Sequence, residues 1–270
     1  MISQSMLVDT HCHLDFDEYD SIRDHILQEA AEAGVTRILN PGVDLERNRR
    51  ALEIADAYPN VYAAVGIHPN STADWSDVML DEVRTTAAHP KVLAIGEIGL
   101  DYYRDRSPKD VQRRAFEAQL TLAAELKLPV IIHNRDAHDD TLDVLSAWAA
   151  TLPDELKARP GVLHSFSAPL DVAERALALG FYLGFTGPIT YKNADDLRRT
   201  AAQIPADQIL IETDGPFLTP HPYRGKFPNH PAYVRYVAER IAALHMMPDD
   251  LFAAQSTANA ERLFALPPVQ

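Results

Sequence analysis

A chain of 270 residues, 46% hydrophobic and 24% charged, has the balance of a folded protein with a sizeable core. Its formal charge of -14 argues against a broad basic groove coating a nucleic-acid backbone, although a local cation-bearing site can still attract phosphate. The single cysteine, Cys12, excludes an intrachain disulfide framework, and no stretch approaches the ~20 apolar residues of a membrane helix. The expectation is a reduced, cytoplasmic protein with no signal peptide.

Short β-branched runs alternate with longer amphipathic segments along the chain. The run 6–10 leads into a helical pattern over 21–33 that stops at Gly34, and the run 36–39 is followed by a helix over 45–57. Runs 61–66 and 92–96 come next, then a long helical pattern over 111–127. Runs 129–132, 162–164, 181–184 and 208–211 complete a set of eight, with a helix over 171–179 closed by Gly180. A Pro-, Gly- and aromatic-rich segment, 214–231, precedes two last helical stretches at 233–244 and 249–266.

Such alternation implies a parallel sheet with helices outside. Eight units in a length near the ~250 residues of a closed barrel favour that closure. The competitor is an open doubly wound sheet, but no Gly-rich dinucleotide fingerprint follows the first run. The predicted fold class is α/β, a (β/α)8 TIM-like barrel, with residues 1–270 forming a single domain.

In that fold the strand ends converge on one face, where the active site lies. Five of the eleven histidines fall there: His11 and His13 after the first run, His68 after the third, His133 after the fifth and His164 after the sixth. Glu97 and Asp101 follow the fourth run, and Glu212 and Asp214 follow the eighth. Alternation along a strand turns His11 and His13 the same way and Cys12 the other, so Cys12 reads as a packed thiol. Imidazoles and carboxylates together make a site for divalent metal, and the geometry suggests two ions. Glu97 is central enough to bridge them, with His11, His13 and Asp214 on one and His133 and His164 on the other. Asp214 is also placed to take a proton from the attacking water, and Glu212 to orient the site. His68 is open to three roles, metal ligand, phosphate contact or support of a ligand, with substrate contact preferred. His221 and His230 are either substrate contacts or plain loop polarity. Donor chemistry favours zinc, manganese, cobalt or iron, although availability can make magnesium or manganese the working ion.

The segments DTHCHLD, GIHP, GEIGLDYY, LPVIIHNR, ETDGPFL and YRGK, in this order, resemble the TatD family of metal-dependent deoxyribonucleases within the amidohydrolase superfamily. The resemblance implies a (β/α)8 barrel, a divalent-metal requirement and hydrolysis of DNA phosphodiesters from the 3′ end. It carries the metal ligands onto His11, His13, Glu97, His133, His164 and Asp214, and turns His68, Tyr103 and Arg135 toward substrate. For Arg135 the competing reading is a buried ion pair. Two departures stand out: Ala168, where the family usually has glycine, and His230, where it often has glutamate. Under this reading Arg224 and Lys226 grip a neighbouring phosphate, and Tyr102, Tyr103, Phe217 and Tyr223 offer faces to single-stranded bases. DNA repair or degradation would follow as the biological setting. The alternative function is an ester or amide hydrolase, such as a deacylase of mischarged aminoacyl-tRNA, because the same centre polarises a carbonyl equally well.

Overall fold

The computed structural model describes residues 6–104 and 106–268. Eight parallel strands run in sequential order: β1 (Leu7–Asp9), β2 (Val35–Pro41), β3 (Val61–Val65), β4 (Val92–Asp101), β5 (Val130–Arg135), β6 (Gly161–Leu163), β7 (Tyr182–Phe185) and β8 (Ile209–Ile211). The two ends of the sheet meet, since Thr10 N donates to the Ile211 carbonyl at 3.2 Å and Asp214 N to the His11 carbonyl at 2.8 Å. The result is the expected (β/α)8 barrel.

The helices are α1 (Arg23–Glu32), α2 (Leu45–Ala57), α3 (Asp77–Ala87), α4 (Lys109–Leu126), α5 (His138–Ala149), α6 (Asp154–Lys157), α7 (Leu170–Ala178), α8 (Asp195–Ala201), α9 (Val234–Leu244) and α10 (Asp249–Phe264). α2 starts where the Asp44 carboxylate accepts from Arg47 N at 2.8 Å, satisfying a backbone donor that a helix start leaves free. α3, α5, α6 and α8 fall where the sequence reading named no element.

Each strand contributes one buried residue to an inner cluster: Val8, Leu39, Ala64, Ala94, Ile131, Val162, Tyr182 and Leu210. Ala260, Leu263 and Phe264 of α10 pack against the same cluster and close the end of the barrel away from the site. The alternate residues of the strands, such as Ile38, Val65, Ile132 and Leu183, belong to the larger core under the helices. Two residues on from the inner cluster, the same alternation brings His133, His164, Gly184 and Glu212 to the barrel axis, one layer nearer the mouth.

Candidate metal centre

Glu97 reaches the axis by a different route. β4 runs on to Asp101 rather than ending near Gly96, because Gly99, Leu100 and Asp101 pair with His133, Asn134 and Arg135. Between Ile95 and Ile98 the register against β5 slips by one residue. A bulge of this kind re-aims a side chain, and here it brings Glu97 inward. Gly99 has φ +145°, and a Cβ there would stand 2.0 Å from the His133 carbonyl oxygen, so a side chain would push β5 away from the site.

His11 and His13 lie beyond the end of β1, on irregular backbone held to the start of the last loop. His13 N donates to the Gly215 carbonyl at 2.8 Å, and Cys12 bridges Gly215 as a buried core residue. The Nε2 atoms of the two rings are 3.2 Å apart. Glu97 stands between two sets of imidazoles. Its Oε2 is 3.5 Å from His11 Nε2 and 3.6 Å from His13 Nε2. Its Oε1 is 2.8 Å from both His133 Nδ1 and His164 Nε2. Asp214 Oδ1 closes one side, 3.7 Å from His11 Nε2 and 3.6 Å from His13 Nε2. The His11 and His164 rings stack with centroids 4.0 Å apart.

Burial dominates the proton equilibria, because a charged group here loses its water. It drives His11 well below the usual imidazole range, lowers His13 to about 4 and raises Asp214 to about 7. Burial also opposes charge on Glu97, but the surrounding imidazoles outweigh it and hold the carboxyl well below its usual range. The same pairing lifts His164 to about 9 against its own burial. The cluster therefore keeps an anion at its centre, with His11 and His13 resisting protonation and His164 favouring it.

This donor set fits divalent cations. His13 Nδ1 lies 3.0 Å from the Pro41 carbonyl, which can only accept, so the ring proton sits there and Nε2 offers its lone pair to the site. The Nδ1 atoms of His11 and His164 are buried with no hydrogen-bond partner among the described residues. Three groups bring donor atoms within 4.8 Å of one another: His11 with His164 and Asp214, His11 with His13 and Glu97, and His68 with Glu97 and His133. In the last, His68 differs chemically from its neighbours. Its Nδ1 accepts from Asn70 N at 3.0 Å, so the neutral ring carries its proton on Nε2, facing Glu97 Oε1 at 3.5 Å. A ring so arranged is a hydrogen-bond donor and a poor ligand.

Three further residues, Asp101, Gln112 and Gln119, shape the site from behind its ligands. Asp101 Oδ2 lies 3.2 Å from His133 Nε2 and Oδ1 accepts from Tyr103 N and Arg104 N, so one carboxylate orients the ring and holds the loop. Gln112 and Gln119, on the buried face of α4, clamp backbone at Asp101 and at Ile67, beside His68. Their spacing of seven on an apolar helix face is the available sequence signal.

The other predicted residues divide by position. Arg135 is exposed, makes no ion pair among the described residues, lines the cavity and lies 4.0 Å over the Tyr103 ring, so the buried ion pair is not what forms. Tyr103 is 60% exposed and braces Arg135 from outside. Arg224 stacks on Tyr191 at 4.2 Å and Lys226 on Tyr223 at 4.8 Å, both on the rim rather than the cavity wall. His230 turns away, with Nδ1 2.7 Å from Glu29 and its ring stacked on Tyr233. Glu212 stands outside the three donor groups above: fully buried, it accepts from Ser165 N at 2.5 Å. Arginines on the outer helices, such as Arg49, Arg84, Arg113 and Arg175, sit on carboxylates. Arg104 and Arg106 at the mouth make no ion pair among the described residues.

Residues 8–265 match the family model described as TatD related DNase. The chain is 44% identical over 261 residues to the metal-dependent hydrolase YabD of Bacillus subtilis, covering 97% of this chain and 100% of that protein. It is 35% identical over 262 residues to the 3′-5′ ssDNA/RNA exonuclease TatD of Salmonella typhimurium, covering 96% and 98%. Among solved structures, YJJV, a TatD homolog from Escherichia coli, superposes with a TM-score of 0.89 at 36% identity over 97% of this chain and 98% of that one. No helix among the described residues is long and apolar enough to cross a membrane.

Proposed function

The chain belongs to the family of TatD-related DNases, which are metal-dependent hydrolases, and we propose that it removes nucleotides from the 3′ ends of single-stranded or frayed DNA. The reading is carried by one observation: the two oxygens of Glu97 face separate imidazole groups, in a mouth where Arg104, Arg106 and Arg135 make no ion pair among the described residues. His11, His13, Glu97 and Asp214 would hold one cation, and Glu97, His133 and His164 a second. Such cations neutralise the nonbridging phosphate oxygens and acidify water at neutral pH.

The protein side chains do the rest. Asp214, beside His11 and His13, accepts the proton of the attacking water. His68 donates its Nε2 proton to a phosphate oxygen, and Arg104 and Arg135 hold the neighbouring phosphate. Water oxygen bonds to phosphorus, the P–O3′ bond breaks, and the leaving 3′ oxygen takes up the proton. One 5′-phosphorylated nucleotide and a strand shorter by one are the products.

Protein reconstituted with divalent metal, given single-stranded DNA labelled at either end, is expected to shorten it stepwise from 3′, with no cutting by His133→Ala. Absence of cleavage by the metallated wild type would sink this reading and direct attention to ester and aminoacyl-tRNA substrates.

A further inference from the structure

The cavity over the candidate metal centre has two lobes, of about 490 and 430 Å3, and Phe217 lines both. His133, His164 and Asp214, together with Arg104 and Arg135, are also shared by the two, so the two lobes meet over the candidate metal centre. Ser165, Phe166, Thr186, Pro188 and Leu218 wall the larger lobe, with the Ser165 and Thr186 hydroxyl oxygens 3.0 Å apart. Its volume falls within the ~300–1,000 Å3 of small-ligand pockets, the scale of a single nucleotide. Asn70, Ser71 and Arg106 line the smaller lobe, a polar and cationic surface suited to a continuing phosphodiester strand.

Phe217 is 45% exposed and, with the 61% exposed Phe227 ring 6.3 Å away, forms an exposed aromatic patch beside the cavity. It is nonetheless held. Its N donates to the Asp214 carbonyl at 2.9 Å, and its carbonyl accepts from the Asn229 amide at 2.7 Å. Its ring meets Phe16 edge-on at 6.0 Å, and Phe16 stacks on His13 at 4.7 Å with the Arg47 guanidinium 5.0 Å from its centroid. A braced, exposed aromatic on the line between two nucleotide-sized spaces is placed to break the stacking of adjacent bases.

We propose, on the phosphodiesterase reading above, that Phe217 is a wedge between the last two nucleotides of a bound strand, and that the larger lobe is a subsite for a single terminal nucleotide. Every base has a face to stack, so the wedge confers strand-end and single-strand preference without sequence preference.

The test compares kcat/KM on a single-stranded oligonucleotide with kcat/KM on bis(p-nitrophenyl) phosphate, a diester with no bases, in wild type, Phe217→Ala and Phe217→Trp. Stacking on one base is worth about 1–3 kcal/mol, or roughly 5- to 150-fold, and the oligonucleotide-to-diester ratio should fall by that factor in Phe217→Ala and recover in Phe217→Trp. An abasic site at one of the last two positions should cost wild type a similar factor and cost Phe217→Ala little more. The first product should be a mononucleotide. An unchanged ratio in Phe217→Ala, or a first product of two or more nucleotides, overturns the wedge and leaves the phosphodiesterase reading intact. Hydrolysis of the diester but not the oligonucleotide by wild type overturns both the wedge and the DNA exonuclease reading. Hydrolysis of neither substrate overturns both.

Discussion

Gly184 to alanine is a one-carbon change whose effect can be worked from its neighbours. A Cβ at Gly184 would lie 2.2 Å from Glu212 Oε1, 2.6 Å from its Cδ and 2.9 Å from Oε2. The Glu212 side chain is fully buried and cannot retreat without releasing Ser165 N, which it binds at 2.5 Å. Forced repacking costs about 1–3 kcal/mol and an orphaned buried N–H about 1–3 kcal/mol, so Gly184→Ala should lose roughly 2–6 kcal/mol. Because Ser165 follows His164 directly, metal affinity should fall by about tenfold or more as that ring loses its support. Glu212→Ala also orphans the Ser165 N–H but removes the clash. The double variant should therefore be more stable than the sum of the singles predicts, with a coupling of about 1–3 kcal/mol. Urea unfolding of chelator-treated protein measures the stabilities, and competition with a fluorescent chelator measures the metal. A Gly184→Ala protein within ~0.5 kcal/mol of wild type, or strict additivity in the double variant, would refute the reasoning.

Other expectations follow from the same geometry. Asp214→Asn should lower turnover by about 10²–10⁴-fold while sparing the fold, and retained hydrolysis would remove Asp214 from the chemistry. Asp101→Asn keeps an oxygen for Tyr103 N and Arg104 N but withdraws the negative charge from His133, so metal affinity or activity should fall about 10–100-fold with thermal stability nearly unchanged. Cation at ~100 times its Kd should stabilise the stripped protein by about 2.7 kcal/mol, seen as a higher melting temperature; no shift would count against a metal site. Burial raises Asp9 and Asp15 to about 7 and Glu212 to about 8. Their neutral forms favour the fold, so this stability is fully present near pH 4 and is lost as pH rises through 7 to 8. Chelator-treated protein should melt lower at pH 9 than at pH 6, and a flat profile would contradict the assignment.

Much of this site was legible because strand alternation is a local rule. Once Ile131 and Val162 are placed inward, His133 and His164 follow, and the same rule turns Glu212 into the barrel. Other features depend on contacts that local pattern does not encode. Glu97 faces the axis only because β4 slips a residue against β5, and continuation of β4 to Asp101 depends on β5 being there to pair with it. The role of His68 turns on a single backbone N–H, that of Asn70, which decides where the ring proton sits. His230 looked available for substrate until Glu29, 201 residues earlier in the chain, was brought beside it.

The seam between β1 and β8 has a consequence for biosynthesis. Asp9 holds both Thr213 N and the Thr213 hydroxyl across 204 positions of sequence, and it is this seam that brings Asp214 beside His11 and His13. A nascent chain carries His11 and His13 from the outset but cannot complete the cluster until β8 has been synthesised and has found β1, a pairing whose large loop-closure cost places it late. A cation that needs the whole cluster would then be held only by a chain that has closed the barrel, so its binding would report completed folding rather than seed it.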